Sequence, residues 1–199
     1  MGQQDLILPH SVRSTGVVDL LAELYTETGR AADVIALRER HFTTTGTHRE
    51  YQVLRTIARK TPQWPQIHER ALNLLRERAT DRNWSGADTL AAVLLDEGEV
   101  DEAWQVTQAH HCGNQVRMAV TARRAETHPA DAIAVYRPLA EAAIAQTNNH
   151  GYERATQLLL MMRPLFAHTG EDFTDYVTAL KETNRRKRNF LAELRRNGL

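Results

Sequence analysis

The residues here with the widest chemical range are nine histidines and a single cysteine, and they crowd together only at His110-His111-Cys112. A zinc site needs about four ligands converging on one point. Neighbouring helical residues point about 100° apart, so these three cannot all face one metal. No second His/Cys cluster lies near in sequence. The ordinary role for histidines there is a helix end, where they complement the negative pole of the helix dipole. Cys112 stands before Gly113 and beside His111. A thiolate is favoured by a helix N-terminus or a cationic neighbour, whereas a small semi-buried cysteine needs neither. Gly-x-Ser-x-Gly, a phosphate-binding glycine loop and His-Glu-x-x-His are all absent. The sequence therefore points to a non-catalytic protein with no cofactor and no metal.

Two charged segments remain as binding candidates. Asp96, Glu97, Glu99, Asp101 and Glu102 surround Gly98, and with Asp88 they give six acids and no Lys or Arg between Trp84 and Cys112. Such a patch can dock a basic partner; it can equally be a solvated turn with acids favouring the next helix's positive pole. The spacing does not match a calcium loop. At the other end, 181–199 carries seven basic residues (Lys181, Arg185, Arg186, Lys187, Arg188, Arg195 and Arg196) against Glu182 and Glu193. Lys181, Arg185, Arg188 and Arg195 recur at helical steps, a stripe able to follow phosphates or to meet acidic protein surface. Trp104 reads as core. Trp64 and Trp84 flank loops, where a tryptophan either anchors a ligand or closes the edge of a helix pair. Leu158 to Met162 is apolar nearly all round, which fits a buried central helix or a patch covered by a partner.

The elements that position these residues are helices. Apolar residues recur at three- and four-residue spacing throughout, and strict alternation is nearly absent. About ten helices are expected: 17–28, 30–45, 47–60, 63–80, 86–97, 99–111, 114–127, 129–147, 151–168 and a basic C-terminal helix 171–197. Gly29, Gly46, Gly98, Gly113 and Gly170 fall between them, and Pro62, Pro65 and Pro129 at or before helix starts. Ser85 and Asp131 fit first-turn or capping positions. Pro138 and Pro164 fall inside helical patterns and imply kinks, because apolar periodicity resumes beyond each. In the last segment the apolar face is interrupted by Asn184 and Lys187, so that helix either projects or breaks near Asn184.

Short connections make neighbouring helices antiparallel. Leu21, Ala22, Tyr25, Gly29 and Val34 match Leu90, Ala91, Leu94, Gly98 and Ala103 at an offset of 69 residues, about twice the tetratricopeptide period. Leu54, Ala58, Pro62 and Ile67 form a weaker unit between. The segment 87–104 resembles a tetratricopeptide repeat, and 18–35 does so less fully. The expected fold is all-α: a right-handed stack of antiparallel helix pairs, a degenerate tetratricopeptide-like α-solenoid. It would form one domain over 16–199 behind an irregular 1–15.

Further on, His128-Pro129-Ala130-Asp131-Ala132-Ile133-Ala134-Val135-Tyr136 opens a helix. Tyr152, Ala155, Leu158, Leu159 and Met162 continue its theme. Phe173, Tyr176, Val177 and Leu180 lead into Asn184-Arg185-Arg186-Lys187-Arg188-Asn189-Phe190-Leu191. This combination, over about residues 85–199, resembles the C-terminal helical region of bacterial SWIM zinc-finger family proteins. Their zinc module needs Cys-x-Cys followed by Cys-x-His, which is missing here, so the resemblance implies the helical portion without the finger.

Composition narrows the surroundings. Lys plus Arg and Asp plus Glu both number 25, so no net charge draws the chain toward nucleic acid or membrane. A single cysteine forms no internal bridge and fits a reducing cytoplasm. The first ten residues lack a signal-peptide pattern, Leu6 stands where myristoylation wants Ser or Thr, and no apolar run nears the ~20 residues of a membrane helix. Asn83-Trp84-Ser85 matches a glycosylation sequon by pattern only. The resulting expectation is a protein–protein interaction module. The alternative is a nucleic-acid-associated module whose basic C-terminal helix contacts phosphates.

Overall fold

The computed structural model describes residues 10–81 and 86–199, the side chains of 10–15 excepted. Trp84, Ser85 and the sequon at 83–85 lie outside the described residues, as do residues 1–9. The described chain is all-α. Its eleven helices are α1 (His10–Glu27), α2 (Ala31–Thr45), α3 (His48–Ala58), α4 (Trp64–Ala79), α5 (Gly86–Glu97), α6 (Val100–Ala109), α7 (Asn114–Arg124), α8 (Pro129–Ala145), α9 (Asn149–Phe166), α10 (Phe173–Thr183) and α11 (Arg188–Arg196). No described helix is long and apolar enough to cross a membrane.

Two expectations about boundaries change. Residues 10–15, read as irregular, belong to α1, which runs on through Gly16 to Glu27 with no proline inside it. The expected helix over 171–197 takes the second of its two alternatives and breaks near Asn184, into α10 and α11 separated by Asn184–Lys187. The break follows from Asn184, whose Nδ2 folds back to donate to Leu180 O at 2.9 Å and competes with the helical ladder. Pro138 and Pro164, by contrast, stay inside continuous helices α8 and α9. Both are exposed, so water can take the carbonyl each leaves free.

Contacts divide the chain into two compact units, one ending at Gly113 and one running from Asn114 to Leu199. In the first, each helix from α1 to α6 packs on the next, α2 also meets α4, and α3 meets α5. The residues aligned by their 69-residue offset are mostly core: Ala22, Val34, Leu90, Ala91, Leu94 and Ala103 are buried, as are Leu54, Ala58 and Ile67 of the weaker unit. Fully buried Ala58, Ala91 and Ala103 let helices approach, and Tyr51 and Leu75 fill the space between. Of the large apolar residues in the alignment, Tyr25 is half-buried and Leu21 is exposed.

Turn chemistry holds this unit together locally. Thr47 caps α3 by accepting from Glu50 N at 3.3 Å. Gly46 ends α2 in the left-handed region at φ 59°, its N–H donating to Phe42 O at 2.7 Å. Arg78 reaches over from α4, and its Nη2 donates to Thr43 O at 2.6 Å. A Cβ at position 46 would stand 1.6 Å from Arg78 Nη1, so the guanidinium occupies the space a side chain would take.

The second unit is built on the α8–α9 hairpin, with α7 packed on α8 and α11 on α9. Its core holds Tyr136, Leu159, Met162, Phe190 and Leu194, each at most 1 % exposed. Asn148 caps α9 by accepting from Gly151 N at 2.7 Å. Asp172 caps α10 by accepting from Thr174 N at 2.6 Å and Asp175 N at 3.1 Å, which holds its carboxyl below the usual range. Gly151 sits where α9 crosses the end of α8, and a Cβ there would lie 2.5 Å from Ala143 O. Of the run from Leu158 to Met162, three residues are buried and Met161 is exposed.

Candidate interaction surfaces

The acidic knot around Gly98 is largely consumed inside its own unit. Asp96, on the last turn of α5, faces α3: His48 Nε2 lies 2.8 Å from its Oδ2, and Gln52 Nε2 donates to the same oxygen at 2.7 Å. Burial raises the Asp96 pKa, but the hydrogen bonds from Gln52 and His48 and the charges of His48 and Arg55 outweigh it, so the pKa falls below the usual value. Glu97 turns inward. It accepts from the Tyr51 hydroxyl, and its Oε2 lies 2.7 Å from His68 Nε2, with Arg55 at 3.8 Å. Burial, then the hydrogen bond to Glu97 and its charge, push the Tyr51 pKa well up. Trp64 closes the edge of this network, its ring 5.1 Å from His68 and 6.4 Å from Tyr51. Glu102 pairs with Arg76 at 2.8 Å, Glu99 is exposed at the N-cap of α6, and Asp101 lies in its first turn. Asp88 accepts from Gly113 N at 2.7 Å and anchors the chain where the first unit ends. The acids thus tie α3, α4, α5 and α6 together.

A third histidine–carboxylate contact lies deeper. His41 and Glu50 are both 6 % exposed, with Nε2 and Oε2 3.7 Å apart and neither atom hydrogen-bonded to protein.

The predicted catalytic-type residues do not converge. Cys112 is buried, His110 ends α6 and His111 is exposed. Among the described residues no group of His, Cys, Asp or Glu is arranged to hold a metal.

The basic tail is partly held down and partly open. Lys187 Nζ donates to Ile144 O at 3.2 Å, at the end of α8, and Asn189 Nδ2 donates to Asn149 Oδ1 at 3.4 Å. These bonds and buried Asn184 pin the α10–α11 turn to the unit. Arg185, Arg186 and Arg188 are exposed around it and make no ion pair among the described residues. The break separates them from Lys181 on α10, while Arg195 projects from the last turn of α11. A recess of about 480 Å³ lies against the turn, lined by Glu182, Thr183, Asn184, Arg185, Arg186 and Lys187. Neutrality of the whole chain hides an asymmetry: residues 114–199 hold 13 Lys/Arg against 9 Asp/Glu, or +4, and residues 1–113 hold 12 against 16, or −4.

One surface escaped sequence reading. Along α1, Val17, Leu20, Leu21 and Leu24 are 56, 68, 37 and 52 % exposed. They form one stripe by helical spacing. The adjoining face of α1 is satisfied, with Ala22, Val18 and Tyr25 packed in a cluster with Val34, Leu37 and Ile57. The stripe is therefore a second apolar face on a helix that already has one against the core.

No family model matches the chain, and no curated protein or solved structure matches it.

Proposed function

We propose that this chain is a non-catalytic helical-repeat module for protein–protein interaction, working in a bacterial cytoplasm. The observation that carries the reading is the α1 stripe. Four large apolar side chains on one helix face are what an interaction surface presents, whereas scattered single residues would need no explanation. The pairing of α1 with α2, α3 with α4 and α5 with α6, with next-neighbour contacts α2–α4 and α3–α5, supports a tetratricopeptide-like right-handed solenoid for the first unit. The kinship with the helical region of SWIM zinc-finger family proteins belongs to the same proposal and rests on the residues of 85–199 quoted above.

The test places a photo-crosslinking benzophenone at position 20 in the expressing cell, with exposed Arg59 as the control position. Discrete adducts that disappear when Val17 and Leu24 become Asp are expected. Labelling at position 20 no stronger than at 59 overturns the reading.

A second reading has its own observation. Three exposed guanidiniums without ion pairs, on a turn fixed by Lys187 and Asn184, fit successive phosphates of a nucleic acid. Labelled RNA and DNA would bind with about 20- to 40-fold loss between 50 and 200 mM salt if three phosphates are neutralised. Changing Arg185, Arg186 and Arg188 to Glu would abolish that binding. No binding at 50 mM salt refutes the reading and leaves the turn as structure.

A further inference from the structure

Two gaps between alternate helices of the first unit differ. Between α3 and α5 the helices pack, and the carboxylates at the end of α5 find their donors across the gap. Asp96 meets His48 and Gln52, and Glu97 accepts from the Tyr51 hydroxyl. Between α1 and α3 no hydrogen bond or ion pair joins the described residues. A groove of about 540 Å³ lies there instead, over a floor that includes buried Ala22 and Val34.

The two walls of this groove are chemically unlike. The α3 wall is apolar, with half-buried Val53 and Ile57. The α1 wall carries Asp19, Glu23 and Glu27. Asp19 is answered by Arg38 of α2 at 2.6 Å. Glu23 and Glu27 are exposed, and among the described residues neither has a hydrogen bond or ion pair. The donors that Asp96 and Glu97 find inside the chain are therefore missing here, and a partner must bring them.

The lining also decides the partner's backbone. An extended segment needs acceptors and donors for its own N–H and C=O groups. The groove has no Asn or Gln among its lining residues, and the Thr26 hydroxyl is already spent on Ala22 O at 2.7 Å. A helix satisfies its backbone internally and docks through side chains alone. Glu23 and Glu27 stand one turn apart, as do Val53 and Ile57, so each wall repeats about every 6 Å. We propose, resting on the interaction-module reading above, that this groove receives an amphipathic helix of another protein. Its apolar row lies on Val53 and Ile57, and Lys or Arg one turn apart meet Glu23 and Glu27.

The probe is a fluorescein-labelled synthetic helix with leucines on one face and lysines four apart on its flank. It is titrated against the whole chain by anisotropy at low salt. E23K/E27K is expected to weaken saturable binding by about tenfold or more. E69K/E77K makes the same change of charge at exposed sites on α4, outside the groove, and should change it less than about twofold. Circular dichroism shows that both variants are folded. The probe with glutamates for lysines should prefer E23K/E27K to the parent chain. No saturable binding by the parent, equal loss in both variants, or equal binding of a proline-broken probe of the same composition would each overturn the proposal. A dimer of the chain alone that E23K/E27K abolishes, seen by sedimentation velocity, would give the groove to a second copy and overturn it too. Adducts at position 20, which lies outside the groove, test the module reading separately.

Discussion

Removing the Tyr51 hydroxyl tests whether Glu97 acts as a structural acid. The Tyr51 side chain is fully buried and its hydroxyl donates to Glu97, which also holds His68 at 2.7 Å. A hydrogen bond to a charged group contributes about 1.5–3 kcal/mol. In Tyr51→Phe the carboxylate keeps His68 and Arg55, so the loss should sit near the lower end, about 1–2 kcal/mol. Glu97→Ala is worse. It strips the acceptor from a buried hydroxyl and the partner from a half-buried histidine, which costs about 2–4 kcal/mol. In the double variant no hydroxyl is left to orphan, so the two losses should not add, and the coupling should be about 1–2 kcal/mol. All three tryptophans precede Gly113, and Trp64 lies 6.4 Å from Tyr51, so urea unfolding followed by tryptophan fluorescence reports this unit. For a slope of about 2 kcal/mol/M, Tyr51→Phe should lower the midpoint by about 0.5–1 M. Coupling below about 0.5 kcal/mol would refute the network and leave Tyr51 as a packing residue alone.

Four further outcomes are expected. Gly151→Ala gains about 1 kcal/mol of helix propensity but drives its Cβ to 2.5 Å from Ala143 O, so the second unit should lose a net 1–3 kcal/mol or so in a thermal melt by circular dichroism. Phe190→Ala empties a fully buried site 5.6 Å from the Tyr152 ring, and about 3–5 kcal/mol should disappear from the urea-unfolding free energy of that unit. Asp96 has a lowered pKa, so its contribution is present above the ordinary aspartate value of about 3.9 and is lost as pH falls through the folded value; Asp96→Asn should flatten the stability–pH curve on the acid side, as read by urea midpoints. Tyr51 has a raised pKa, so its contribution is complete below pH about 10 and declines above it. Tyr51→Phe should therefore unfold less steeply with alkali than the parent chain, in a pH titration of fluorescence.

Helix positions were legible because their signals are local. Apolar periodicity and the glycines at 29, 46, 98 and 170 are read from neighbours alone, and, the start of α1 and the last helix apart, the helix limits follow them within a few residues. The break at Asn184 was legible only as one of two alternatives, from the interrupted apolar face, since no proline or glycine marks it and the deciding event is one side chain folding onto its own helix. The acidic knot was legible as a cluster but not as a set of internal bonds. Its partners His48, Tyr51, Gln52 and His68 stand roughly 30 to 50 positions earlier, and only packing brings them near. The α1 stripe shows the same limit from the other side. Leu21 and Leu90 occupy matching places in the pattern, yet one is 37 % exposed and the other 2 %, because periodicity states that a face is apolar and says nothing of what lies against it.

The Arg78 guanidinium lying over Gly46 has a consequence for how such chains can diverge. Any side chain at 46 evicts Arg78, and any short residue at 78 uncovers the end of α2 and leaves a hollow above a bare glycine. Neither step is neutral alone, so the two positions form a single evolutionary unit. In distant descendants of this chain a residue larger than glycine at 46 should arrive together with a small or apolar residue at 78. Positions 32 apart in sequence would then covary as strongly as direct neighbours.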